Sequence, residues 1–158
     1  LWSETMPGES ALQQDAVDKK VRSAARHGNL EALTQAISEG GNVKAQNKFG
    51  MTCLHKAAES GHLDVVEFLI SRESEDAIST LVDMADGEGE TALHLAAGNG
   101  HLEVIKCLVE KGRANIHLKE KNDDWTAADL ASCRGHADIA KFLSEQPAAP
   151  PAAAEASS

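Results

Sequence analysis

Residues 50–70 read GMTCLHKAAESGHLDVVEFLI, and residues 89–112 read GETALHLAAGNGHLEVIKCLVEKG. The two stretches share Gly50/Gly89, Thr52/Thr91, Leu54/Leu93, His55/His94, Gly61/Gly100 and His62/His101 in register. Their second halves belong to a phrase that recurs down the chain: NLEALTQAIS at 29–38, HLDVVEFLIS at 62–71, HLEVIKCLVE at 101–110 and HADIAKFLSE at 136–145. A glycine precedes each copy (Gly28, Gly61, Gly100, Gly135), in steps of 33, 39 and 35 residues. A unit of that length is one supersecondary element that cannot bury its apolar face alone, so neighbours stack and share a core. Such a stack presents a surface rather than enclosing a reaction.

Working outward, each unit predicts two helices. From Ser10, the residues Leu12, Ala16, Val17, Val21, Ala24 and Ala25 read as one apolar stripe. Gly28 stops that helix, and a second follows at about 30–39. Asn47-Lys48-Phe49-Gly50 is a turn. Thr52 caps the next helix, which runs to Gly61. In the third unit the turn is Asp86-Gly87-Glu88-Gly89 and the cap is Thr91; in the fourth they are Asn122-Asp123-Asp124 and Thr126. The 39-residue step places an insertion at about 72–86, where Ser74 caps a short helix bearing Ile78, Leu81 and Val82. These boundaries give a domain over 10–146, with repeats at about 10–46, 47–85, 86–120 and 121–146. Residues 1–9 form a flexible lead-in. The Pro/Ala-rich end from Pro147 lacks any large apolar residue and reads as a disordered tail.

Composition narrows the class. Of 158 residues 42% are hydrophobic but only 3% aromatic, so Ala, Leu, Val and Ile fill the core. A net charge of -10 argues against a nucleic-acid module, which needs a basic face to displace counterions. No run reaches the ~18 apolar residues of a membrane span. Cys53, Cys107 and Cys133 make no disulfide framework, which fits a reducing compartment. The expected location is cytoplasmic; because the chain starts at Leu1, a processed organellar protein is the alternative.

No residue set points to catalysis. His55, Glu59 and His62 invite a metal reading, but a helix-breaking glycine separates the two imidazoles and no Cys/His set accompanies them. GEGE at 87–90 lacks the Lys and Ser/Thr of a phosphate loop. No Ser or Cys sits in a nucleophile elbow. The expectation is no enzyme, no metal and no cofactor.

Thr52-Cys53-Leu54-His55 and Thr91-Ala92-Leu93-His94 resemble the Thr-Pro-Leu-His motif of the ankyrin repeat, without its proline. The likeness covers about 18–146. Lys19-Lys20-Val21-Arg22 and Thr126-Ala127-Ala128-Asp129 depart from the motif, as capping repeats do. The resemblance implies an all-α repeat protein, an ankyrin-repeat solenoid of helix-turn-helix units joined by β-hairpin-like loops. It assigns His55 and His94 to hydrogen bonds near the capping Thr, and His62, His101 and His136 to the inter-repeat turn.

It further implies a non-catalytic protein-interaction module that binds through a concave face of hairpin tips and first helices. Carried onto this chain, the partner-binding positions are Arg26, His27, Lys48, Phe49, Met51, Glu59, Ser60, Glu88, Glu90, Asn99, Asp123, Trp125 and Arg134. Phe49 and Met51 read as anchors. The carboxylates among these positions favour a basic partner surface, and the chain by itself is expected to be monomeric. The alternatives are an inhibitor or regulator of an enzyme such as a kinase, and an accessory subunit of a large complex.

Overall fold

The computed structural model describes residues 7–146. Among them the chain forms helices and turns and no strand. The helices are α1 (Pro7–His27), α2 (Leu30–Ser38), α3 (Cys53–Ser60), α4 (Leu63–Ser71), α5 (Glu75–Val82), α6 (Ala92–Asn99), α7 (Leu102–Glu110), α8 (Ala127–Cys133) and α9 (Ala137–Ser144). They make two layers. In one, α1, α3, α6 and α8 pack side by side; in the other, α4 packs on α7 and α7 on α9. Within each repeat the two layers meet as the pairs α1/α2, α3/α4, α6/α7 and α8/α9.

Small residues permit the close packing of the first layer. Ala24, Ala25, Ala57, Ala58, Ala96, Ala97, Ala127 and Ala131 are all buried. Leu54, Leu93, Val65, Ile105 and Ile139 fill the space between the layers. One continuous core results, to which every repeat contributes.

The extra helix α5 accounts for the long step. Ser74 accepts the Ala77 N–H at its N-terminus, and Leu81 and Val82 are buried. Asp83, just beyond it, accepts the Asn115 N–H at 2.9 Å, which ties the insertion to the loop after α7.

Two expectations need correction. The first helix begins at Pro7 rather than Ser10; the rest of the presumed lead-in, 1–6, and the tail from Pro147 lie outside the described residues. The apolar stripe of α1 also breaks. Leu12 is 73% exposed and Ala16 is exposed. Leu12 precedes Val21 by nine residues, about 180° around a helix of 3.6 residues per turn, so it points away from the core that Val21 enters.

Candidate functional site

The turns before α3, α6 and α8 are each buckled by one side chain. Asn47 Oδ1 accepts the Phe49 and Met51 N–H groups at 2.9 and 3.0 Å. Asp86 Oδ1 accepts those of Glu88 and Glu90, both at 2.9 Å. In the fourth repeat the turn is one residue longer, closing from the Glu120 N–H to the Trp125 carbonyl. A longer side chain matches it. Glu120 Oε1 accepts from Asp123 at 2.7 Å and Trp125 at 3.2 Å, and Oε2 from Asn122 at 2.7 Å. Burial alone would raise the pKa of Glu120, but these three N–H groups outweigh it and hold the carboxyl below its ordinary value.

Single backbone bonds string the turns together. Gly87 N–H donates to the Phe49 carbonyl and Lys121 N–H to the Glu88 carbonyl, both at 2.8 Å. Within the loops, the expected hairpin pairing is one closing bond each, Asn47 N–H to the Met51 carbonyl, Asp86 to Glu90 and Glu120 to Trp125; one bond per turn and one per step are too few to make a strand. Gly50 and Gly89 take positive φ (80° and 81°) at the turns, where Asp124 (φ 59°) serves in the fourth.

Histidines fix the height of the turns before α6 and α8. The Thr52 N–H donates to His55 Nδ1 at 3.1 Å, so that nitrogen is unprotonated and Nε2–H donates to the Glu90 carbonyl at 3.1 Å. His94 repeats this with the Thr91 N–H at 3.2 Å and the Trp125 carbonyl at 3.1 Å. Both rings bridge from a helix cap to the next turn, 35 and 31 residues on. Burial lowers the pKa of both imidazoles, only partly opposed by the carbonyl acceptors. In the fourth repeat Asp129 takes the place of the histidine and accepts from the Thr126 N–H and hydroxyl, each at 3.0 Å.

A second histidine row locks the other helix ends. His62 Nε2–H donates to the Arg26 carbonyl at 2.9 Å, His101 to Glu59 at 3.1 Å and His136 to Gly98 at 3.3 Å. Each ring lies against the glycine ending the previous first helix. A Cβ on Gly28, Gly61 or Gly100 would fall 2.5, 2.6 or 2.7 Å from it.

The thirteen expected partner-binding residues fall into two rows. Lys48, Phe49, Met51, Glu88, Glu90, Asp123 and Trp125 lie on the bonded turns; Arg26, His27, Glu59, Ser60, Asn99 and Arg134 lie at the far ends of the first helices. An eight-residue helix separates the rows by about 12 Å. Phe49 is 61% exposed, with the Lys48 ammonium 5.0 Å from its ring centre. Lys48, Glu88, Asp123, Arg26, His27, Asn99 and Arg134 are exposed too. Met51, Glu59, Ser60, Glu90 and Trp125 are half-buried. The Trp125 backbone is engaged by Glu120 and His94, which keeps the residue against its own turn. Glu59 pairs with Lys56 at 3.3 Å, and Glu88 accepts from Asn122 at 3.0 Å.

Charge is uneven along the turns. Burial raises the pKa of Glu90, and the nearby Asp86 and Glu120 carboxylates add to it, with Arg134 opposing. The buckles Asp86 and Glu120, both buried, were not among the expected site residues. Their signal was the polar residue opening each turn, which the extra residue of the fourth turn displaced from register.

Among the described residues, no group of three or more His, Cys, Asp or Glu side chains could hold a metal ion. Nor is any helix long and apolar enough to cross a membrane.

A sequence profile described as "Ankyrin repeats (3 copies)" matches residues 22–81 and 73–153. Among similar proteins, osteoclast-stimulating factor 1 of Danio rerio is 32% identical over a match covering 45% of this chain and 37% of that protein. The Notch-regulated ankyrin repeat-containing protein of Xenopus tropicalis is 45% identical, over 41% of this chain and 49% of the relative. The chain thus spans less than half the length of these relatives.

Proposed function

The chain belongs to the ankyrin repeat family, and from that premise we propose that it is a non-catalytic module binding a partner protein through the bonded row of turns. Ankyrin repeats mark a protein–protein interaction module. The finer reading rests foremost on Phe49: a large apolar side chain at a turn tip, 61% exposed, on a backbone that is hydrogen-bonded to the next turn. Exposed aromatics on rigid supports are typical anchors, because little ordering entropy remains to be lost when they are covered.

Met51 flanks the anchor. Glu88, Glu90 and Asp123 give the row an acidic character, and an incoming cation would offset the burial and like charges that raise the pKa of Glu90. The preferred partner surface therefore carries an apolar pocket beside Lys or Arg. Arg26, His27, Glu59, Ser60, Asn99 and Arg134 form the outer limit of the contact, and Trp125 supports its turn.

The test is affinity capture with mass spectrometry, using the wild-type chain and Phe49→Ala/Met51→Ala. The reading expects a protein held by the wild type and lost by the variant at an unchanged melting temperature. Equal capture by both would refute it.

A further inference from the structure

On the helix layer away from the turns, a groove of about 640 Å³ runs along α4. Its apolar lining comes from three helices: Leu30 of α2, Phe68 and Ile70 of α4, and Ile78 of the inserted α5. We propose that α5 is there to wall this groove, and that the groove takes a cationic amphipathic helix of a partner protein, independently of the turn surface.

The wall is fixed. Leu81 and Val82 anchor α5 in the core. Arg113 pairs with Glu75 at 3.2 Å, and Asp83 accepts the Asn115 N–H. Phe68 and Ile78 are half-buried, so apolar surface remains open beside a rigid support. From Asp64 to Ser71 the lining spans seven residue steps of α4, about 10 Å. That length is two turns of a docked helix, room for apolar anchors at i, i+4 and i+7.

Charge selects the occupant. Asp64, Glu67 and Glu73 border the groove against one cation, Lys111. Lys111 is engaged by Glu67 at 3.1 Å, and Glu73 by Arg72 at 2.9 Å. Asp64 has no cation within 4.0 Å among the described residues. A helix with Lys or Arg beside its apolar stripe is attracted to this rim, and an acidic one is repelled.

The probe is a fluorescein-labelled 18-residue synthetic helix with leucines at i and i+4 spacing and lysine flanks. One control carries Glu in place of Lys; another has the same composition scrambled to abolish the apolar face. Fluorescence anisotropy with the full chain should give the lysine helix a Kd at least tenfold below both controls. Ser71→Arg, at an exposed position in the groove, and Asp64→Lys should each weaken binding at least fivefold. Phe49→Ala/Met51→Ala should leave it unchanged. If Asp64→Lys lowers the melting midpoint, Ser71→Arg alone decides. Binding of the scrambled peptide as tight as the helix, no measurable binding, or full binding to Ser71→Arg would overturn the proposal. So would loss of binding in the Phe49/Met51 variant, which would place the peptide on the turns.

Discussion

Gly61→Ala and Gly135→Ala separate two effects that a single glycine substitution confounds. Both glycines end a first helix in the left-handed region, at φ 78° and 85°. Alanine costs about 1–2 kcal/mol in that conformation at either place. The surroundings differ. A Cβ on Gly61 would meet the His101 ring at 2.6 Å, whereas one on Gly135 would meet none of the described atoms within 4 Å beyond its own chain neighbours. Moving the ring sacrifices the His101–Glu59 hydrogen bond, worth about 0.5–1.5 kcal/mol, and overpacks the repeat junction by about 1–3 kcal/mol. Gly135→Ala should therefore cost about 1–2 kcal/mol and Gly61→Ala about 2.5–6.5. Urea unfolding resolves this, because slopes of about 1–3 kcal/mol per molar turn a 2 kcal/mol gap into a midpoint difference near 1 M. In a His101→Ala background Gly61→Ala should fall to the Gly135→Ala cost. Equal costs at the two glycines, or no coupling between Gly61 and His101, would refute the interlock.

Leu93→Ala, at a residue 1% exposed, should cost about 2–5 kcal/mol by urea melt. Stability should also depend on the imidazoles. His55 and His94 titrate below their ordinary value of 6.5 in the folded chain, so the unfolded chain takes up protons first as pH falls. Their contribution is intact above about pH 6.5 and declines below it; a urea midpoint rising from pH 7.5 to 5.5 would contradict this. Burial pushes the Cys53 thiol up to about 12 and the Cys107 thiol up to about 11, while Cys133 is exposed. Iodoacetamide at pH 8 should give one adduct by intact mass on the folded chain, at Cys133, and three after denaturation; labelling of Cys53 without unfolding would contradict the packing.

The local rules were readable in the sequence, and the couplings between repeats were not. Thr52, Thr91 and Thr126 mark helix starts because an N-cap acts within three residues. Ser74 and the Ile78/Leu81/Val82 spacing mark α5 in the same way. By contrast, His62 over Gly28 and His55 on the Glu90 carbonyl join residues 34 and 35 positions apart, and only stacking brings them together. Leu12 misled because its spacing suits a stripe in a straight list but not at 3.6 residues per turn. Glu120 escaped notice because an added residue hid its equivalence to Asn47 and Asp86. The expected partner-binding residues were marked by their place in the repeat, as hairpin tips and first-helix ends; the distance between those two rows follows from helix length, which a residue list does not display.

The central claim, that the bonded turns are the recognition surface, is tested most directly by amide hydrogen exchange on the complex with a captured partner. Protection should concentrate at residues 48–51, 87–90 and 121–125, strongest around Phe49. Exchange at these turns unchanged by the partner, with protection confined to other faces, would contradict it.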